Sequence, residues 1–93
     1  MSDDAPNSPA LTLLVRAYCH LCDEMLAELR PLVAGAGSRI AVIDVDAPGN
    51  EGLEASFGDR VPALFAGTPR EEALLCTIRL TPAAVQAALG GPR

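Results

Sequence analysis

Apolar residues alternate or recur at helical spacing along the chain, and these two patterns predict four strands and three helices. Short aliphatic runs bounded by turn residues predict strands, because they are too short to form helices of their own. Apolar positions that recur every three or four residues predict helices with one buried face. The resulting order is β-α-β-α-β-β-α. The predicted strands span 11–17, 39–46, 62–66 and 73–80, and the helices begin at Leu21, near Pro48 and at Pro82.

The first predicted helix has the clearest periodicity. Asp23 and Glu24 lie in its first turn, where the helix dipole favours acidic side chains. Pro31 should kink this helix or end it near Arg30, because proline has no N–H and its ring crowds the carbonyl one turn earlier. The glycines at 35 and 37 end it in either case. Its apolar face consists of Cys22, Met25, Leu26, Leu29 and Val33.

The remaining elements predict the fold class. The segment 39–46 is apolar on both alternating faces, which predicts a buried parallel strand that helices cover on both sides. The segments 62–66 and 73–80 flank a turn and predict an antiparallel hairpin. Thr81 as N-cap and Pro82 at the first helical position begin the last helix. A βαβ unit beside a ββα unit predicts an α/β fold with a four-stranded mixed sheet between helices. The core-facing residues of the two later helices are expected to be Leu53, Phe57, Val85, Ala88 and Leu89.

Composition and charge narrow the class of protein. The chain has 93 residues, so we expect one domain at 11–90 after a disordered tail at 1–10. The net charge is −5 and the basic residues are scattered arginines, which argues against nucleic acid as a partner. No apolar run reaches the roughly 20 residues of a membrane span, so we expect no membrane partner. The acidic N-terminus differs from a secretory signal, and we expect a cytoplasmic monomer.

Cys19 and Cys22 carry the strongest chemical signal, because they lie where a strand ends and a helix begins. The unpaired N–H groups and the dipole of a helix N-terminus stabilise a thiolate at Cys19. Cys22 lies one turn further on the same face, where it can attack a mixed disulfide formed by Cys19. We predict a thiol–disulfide oxidoreductase in which Cys19 is the nucleophile and Cys22 the resolving thiol. Its expected partner is a disulfide-containing protein or a small thiol, without a bound metal or cofactor.

Other interpretations of these cysteines stay open. Two helix-start cysteines without a redox role would show the same spacing. A zinc site needs four ligands, which the chain could supply from Cys19, His20, Cys22 and the remote Cys76. A dimer-bridging iron–sulfur cluster held by Cys19 thiolates is a third interpretation. Cys76 is otherwise expected to be a small buried hydrophobic residue, and His20 to be either a solvated residue or a proton donor beside the thiolate.

The first strand, the Tyr-Cys-His-Leu-Cys segment at 18–22 and Val61-Pro62 before the third strand together resemble the thioredoxin superfamily. Within it, the short length and the cysteine motif are most similar to the small bacterial glutaredoxin-like proteins, over residues 11–89. The resemblance implies a thioredoxin-like, glutaredoxin-type fold. It also implies a cis peptide bond before Pro62. In this family the proline faces the cysteine pair, and the backbone of the preceding residue, here Val61, pairs with the substrate chain.

The same resemblance implies a set of binding residues. Arg16 stands where glutathione-using glutaredoxins carry a basic residue that binds a glutathione carboxylate, whereas Leu80-Thr81-Pro82 replaces their Gly-Gly-acidic motif. Glutathione is therefore expected only as a reductant. Arg16 and Arg60 are either anion contacts or solvated charges, and Tyr18 is either a groove wall or a packed aromatic residue. A non-catalytic binding module that uses the groove near Pro62 is the alternative to an enzyme. The candidate substrate-binding residues are Arg16, Tyr18, His20, Arg60, Val61 and Pro62.

Overall fold

A computed structural model of the chain describes residues 10–90. Four strands form one mixed sheet in the order β2-β1-β3-β4. Strand β1 is parallel to β2 and antiparallel to β3, which is antiparallel to β4. The predicted fold class and element order are confirmed, whereas the predicted tail lies outside the described residues except for Ala10. The elements are β1 (Leu11–Val15), α1 (His20–Gly35), β2 (Ile40–Asp44), α2 (Glu51–Phe57), β3 (Ala63–Ala66), β4 (Leu74–Thr77) and α3 (Pro82–Ala88).

Apolar clusters cover both faces of the sheet, because successive side chains of a strand point to opposite faces. Leu13 faces the cluster formed with α1 and α3, whereas Leu14 faces the cluster formed with α2. The two phenylalanines of the chain meet in the second cluster, where the rings of Phe57 and Phe65 pack edge to face at 4.9 Å. The first cluster contains the buried residues Leu11, Leu13, Met25, Leu29, Val33, Leu64 and Val85.

Strand β2 is parallel to β1 as predicted, but helices do not cover it on both sides. It is an edge strand, and Val42 at its centre is 42% exposed. The helix that follows β2 has only seven residues, a length of about 10 Å, and its buried residue Phe57 packs against Phe65 of the inner strand β3. The expectation of a doubly covered strand was wrong because the apolar pattern reports strand propensity and not which strands lie inside the sheet.

Helix α1 continues through Pro31 to Gly35, so the proline does not end it near Arg30. Pro31 and Ala27 are exposed, and water can therefore reach the Ala27 carbonyl that lacks a donor at position 31. The predicted apolar face is buried at four positions, Cys22, Met25, Leu29 and Val33, while Leu26 is half-buried. Within residues 10–90, neither α1 nor any other helix has the length and hydropathy to cross a membrane.

The C-terminal elements are shorter than predicted. Strand β4 ends at Thr77 because Ile78 has a φ of 70°, which removes it from the extended conformation. Thr81 is the N-cap of α3 as predicted, although its side chain makes no capping hydrogen bond. Val85 is fully buried and Leu89 packs against the same cluster, whereas Ala88 is exposed and not in the core. In its seven residues, about two turns, α3 buries only Val85.

Candidate functional site

The two cysteines of the motif lie at the start of α1. The chain leaves β1 at Val15, turns at residues 17–18 and enters the helix with Cys19 as the N-cap. Cys19 and Cys22 form a disulfide, with their Cα atoms 5.2 Å apart. The backbone N–H of Cys22 donates a hydrogen bond to Sγ of Cys19 at 3.1 Å. The helix start therefore brings both sulfur atoms together and points a backbone donor at the first of them.

The two cysteines differ in exposure. Cys22 is 2% exposed and belongs to the buried face of α1, whereas Cys19 is partly exposed. A sulfur atom arriving from solvent can therefore reach Cys19 more readily than Cys22. In a reduced protein, the N–H of Cys22 and the positive end of the α1 dipole would favour a thiolate on Cys19.

Pro62 lies at the same end of the sheet as the cysteines. The pairing of Leu14 with Ala63 places Pro62 beside the residues that lead from β1 into α1. The Val61–Pro62 peptide bond is cis. The carbonyl of Pro62 accepts a hydrogen bond from the N–H of Ile78 at 2.8 Å, so the loop that joins β4 to α3 is held against Pro62.

A groove of about 220 Å³ runs between the first turns of α1 and residues 78–80 of that loop. No prediction from the sequence concerned this groove. The residues on its helical side could have been predicted from the sequence to share one face of α1, because their spacing is three or four positions. These residues are Leu21, Glu24, Met25 and Glu28. Its loop side has no such signal, since nothing local indicates a left-handed conformation for a β-branched residue such as Ile78.

Tyr18, directly before Cys19, is fully exposed and has a φ of 57°. The expectation of an aromatic residue packed beside the strand end was wrong, because the left-handed turn directs this side chain into solvent. His20 is also exposed, and its Nε2 lies 2.7 Å from a carboxylate oxygen of Glu24 one turn along α1. Both residues border the cysteines, and neither contributes to the core.

Arg16 and Arg60 are engaged in ion pairs with acidic residues of the same chain. Nε of Arg16 lies 2.9 Å from Asp46, and Nη2 lies 3.1 Å from Glu54. Arg60 lies 2.6 Å from Glu71, and its guanidinium is 5.0 Å from the centre of the Phe57 ring. Hydrogen bonds to Asp46 and Glu71 respectively are the main reason that the pKa of each arginine is raised. An anionic ligand would have to compete with these carboxylates.

Cys76 is remote from the motif cysteines in topology, since it lies on β4 at the opposite edge of the sheet from β2. Its side chain is half-buried, and this burial raises the pKa of the thiol, while a hydrogen bond with the backbone of Thr81 partly opposes the shift. In the part of the chain that the structure describes, no three His, Cys, Asp or Glu residues are grouped to hold a metal ion. The zinc set of Cys19, His20, Cys22 and Cys76 is thus not assembled there.

Comparison with known proteins identifies a family and several relatives to which this chain is similar. Residues 10–90 match the model of a family described as "Glutaredoxin-like domain (DUF836)". The uncharacterized protein Rv0508 of Mycobacterium tuberculosis is 41% identical over 60 residues, and so is the uncharacterized protein Mb0520 of Mycobacterium bovis. That match covers 61% of this chain and 62% of the length of these relatives.

Two solved structures share the fold. The solution NMR structure of protein Ne2328 from Nitrosomonas europaea is 39% identical with a TM-score of 0.69, covering 86% of this chain and 89% of that one. The X-ray structure of protein XcR50 from X. campestris is 28% identical with a TM-score of 0.56, covering 89% of this chain and all of that one. The similarity therefore extends over nearly the whole region that contains the cysteine pair and Pro62.

Proposed function

Because this chain belongs to the glutaredoxin-like domain family of the thioredoxin superfamily, we propose that it is a thiol–disulfide oxidoreductase. One observation carries the proposal: the two cysteines are at bonding distance at a helix N-terminus, with Cys19 accessible and Cys22 buried. This arrangement suits a nucleophile that solvent-borne disulfides can reach and a second thiol that only the first can reach.

The reaction proceeds by two exchanges. The Cys19 thiolate attacks one sulfur atom of the substrate disulfide, forming a mixed disulfide and releasing the other substrate sulfur as a thiolate that takes up a proton. The Cys22 thiol loses its proton and attacks Sγ of Cys19, which releases the second substrate sulfur. Two electrons and two protons pass to the substrate, and the protein is left with the Cys19–Cys22 disulfide that this structure contains.

The surroundings of Cys19 support its role as the nucleophile. The N–H of Cys22 donates to Sγ of Cys19 at 3.1 Å, and this hydrogen bond together with the helix dipole lowers the energy of a thiolate. Asp23 and Glu24 act in the opposite direction, since negative charges near a thiolate disfavour it. In this proposal the backbone of Val61, before Pro62, pairs with the substrate chain beside the thiols.

We propose a protein disulfide as the substrate and a monomer in the cytoplasm as the acting species. A cysteine pair that must be reduced again after each turnover needs a reducing compartment, which the cytoplasm provides. Glutathione can serve as the electron donor in this scheme. Specific binding of its carboxylates by Arg16 or Arg60 is disfavoured, because both guanidinium groups already pair with Asp46, Glu54 or Glu71.

Single cysteine substitutions test the mechanism. We expect Cys19→Ser to reduce the rate of disulfide exchange by about a hundredfold or more, because a hydroxyl is a far weaker nucleophile than a thiolate at neutral pH. We expect Cys22→Ser to accumulate the mixed disulfide, because the resolving thiol is absent. Mass spectrometry of the reduced proteins after reaction with a peptide disulfide would detect the adduct and locate it on Cys19.

Cys76→Ser is the matched control, because it removes a thiol at the far edge of the sheet and should leave exchange unchanged. Equal rates for the wild type and Cys19→Ser would contradict the proposal and favour a binding module. A non-catalytic binding module would also bind its partner with the same affinity whether the Cys19–Cys22 pair is oxidised or reduced. A brown, glutathione-dependent dimer formed on anaerobic reconstitution, and lost in Cys19→Ser, would favour the iron–sulfur carrier instead.

A further inference from the structure

The groove between α1 and the β4–α3 loop begins at the redox-active pair. Leu21, which lies between the two cysteines in the first turn of α1, forms part of its wall. The opposite wall includes Ile78, whose N–H is hydrogen-bonded to the carbonyl of Pro62. The groove therefore lies beside the helix turn that carries the cysteine pair.

The mouth of the groove is apolar and exposed. Leu21 is 41% exposed and Ile78 is 39% exposed, on opposite walls. Ile78 has a φ of 70°, a conformation in which the Cβ of a β-branched residue is crowded by its own backbone. Ile78 is still partly exposed, so burial within the chain offsets this cost only in part. A strained, partly exposed Ile78 opposite an exposed Leu21, beside the cysteine pair, favours contact with a second molecule.

Further along α1 the wall becomes acidic. Glu24 and Glu28 lie one turn apart on the side of the helix that lines the groove. Arg79 is the cation on the loop side, so the ionised residues of the lining sum to −1. The chain as a whole carries −5. This charge repels an anionic ligand and attracts a cationic side chain.

Building on the proposed function, we propose that this groove binds the segment of the protein substrate next to its disulfide. An apolar side chain of the substrate packs on Leu21 and Ile78, and a lysine or arginine reaches Glu28, because Glu24 already lies 2.7 Å from His20. Glu28 lies seven positions after Leu21, a distance of about 10 Å along the helix axis, which about three residues of extended chain span. The favoured substrate therefore carries its basic residue about three positions beyond the apolar residue, and so about four positions from the reacting cysteine when the apolar residue is next to it.

A pair of peptides tests this specificity. Each contains one cysteine, linked as a disulfide to 2-mercaptoethanol, and a leucine next to it. The fourth residue from the cysteine, on the side of the leucine, is lysine in one peptide and glutamate in the other. The second-order rate constant is measured in a single turnover with pre-reduced protein at low salt. We expect the lysine peptide to react about tenfold faster, and this ratio to shrink as the ionic strength rises.

Three substitutions locate the source of the preference. Glu28→Gln should lower the lysine-to-glutamate rate ratio about threefold, and Arg79→Gln should raise it about threefold, since each removes one charge from the groove. Asp23→Asn is the matched control, because it removes the same charge from the first turn of α1 without lining the groove. We expect it to leave the ratio unchanged. The opposite signs at Glu28 and Arg79 cannot arise from a general loss of folding.

Two outcomes would overturn the proposed groove specificity. One is a ratio near one in the wild type, and the other is a change in Asp23→Asn as large as that in Glu28→Gln. Failure of the proposed function looks different: the wild type would then react with neither peptide, and also not with bis(2-hydroxyethyl) disulfide, which has no side chains for the groove to bind.

Discussion

At the scale of single residues, the end of the sheet that carries the cysteines contains two left-handed residues that are not glycine. Tyr18 and Ile78 have φ values of 57° and 70°, and both side chains are exposed. Tyr18 directly precedes Cys19, and the N–H of Ile78 is hydrogen-bonded to the carbonyl of Pro62. Tyr18 therefore adds steric cost to the fold without adding burial, whereas Ile78 is partly buried, and both side chains are accessible to another molecule.

Replacement of Tyr18 measures this cost. We expect Tyr18→Gly to be more stable than Tyr18→Ala by about 1 kcal/mol in free energy of unfolding, because glycine lacks the Cβ that crowds a left-handed backbone. Alanine is the control that removes the aromatic ring and keeps the strain. Urea denaturation of the oxidised proteins provides the measurement, and an alanine variant as stable as the glycine variant would show that the turn is unstrained.

At the scale of elements, α1 connects the redox pair to the core. Its N-terminus holds Cys19, and its buried face packs on the sheet through Leu29 and Val33. Pro31 lies between those two anchors on the exposed side and interrupts the hydrogen bonding of the helix without ending it. Packing of the apolar face thus outweighs the local cost of the proline.

Pro31→Ala should increase the free energy of unfolding by about 2 kcal/mol, because alanine restores an N–H that can donate to the carbonyl of Ala27. Pro82→Ala is the matched control, since Pro82 is the first residue of α3, where proline has no hydrogen bond to lose. We expect that variant to be unchanged or slightly less stable. Equal gains at both positions in urea denaturation would contradict this account of α1.

At the scale of the whole molecule, ion pairs join segments that are far apart in sequence. Arg16 connects the end of β1 to the turn after β2 and to α2, and Arg60 connects the turn after α2 to the turn before β4. The Arg60 guanidinium hydrogen-bonds to Glu71 and lowers the pKa of that carboxyl. In a chain of net charge −5, these pairs place cations among acids that would otherwise repel one another.

The ion pair between Arg60 and Glu71 predicts how the stability of the protein depends on pH. A carboxyl whose pKa is lowered by folding stabilises the protein above its ordinary value of 4.5, and this contribution is lost as the pH falls through the folded value. Glu71→Gln should therefore lower the Tm at pH 7 by at most a few degrees, and the difference from the wild type should close in acid. Glu72→Gln, its neighbour in the same turn, is the control, and thermal unfolding across pH measures both. A difference that persists in acid would assign the effect to packing.

Local sequence patterns were sufficient to predict the order of the elements, the amphipathic face of α1 and the position of the cysteine pair at its start. These features depend on neighbouring residues: periodicity selects a helix face, and a helix N-terminus exposes N–H groups wherever it occurs. The thioredoxin-like fold and the candidate residues Cys19, Cys22 and Pro62 followed from the same local motifs. Their predicted roles were therefore available before any contact between distant segments was known.

The strands that lie at the edges, the partners of the charged side chains and the lining of the groove were visible only in the folded chain. Val42 is an apolar residue of a kind typical of buried strands, yet it is exposed because, among residues 10–90, β2 pairs with a strand on one side only. Arg16 reaches acids that follow it by 30 and 38 residues, and Ile78 adopts a left-handed conformation beside Pro62. Each of these outcomes depends on which distant segments meet, and spacing along a chain does not specify that.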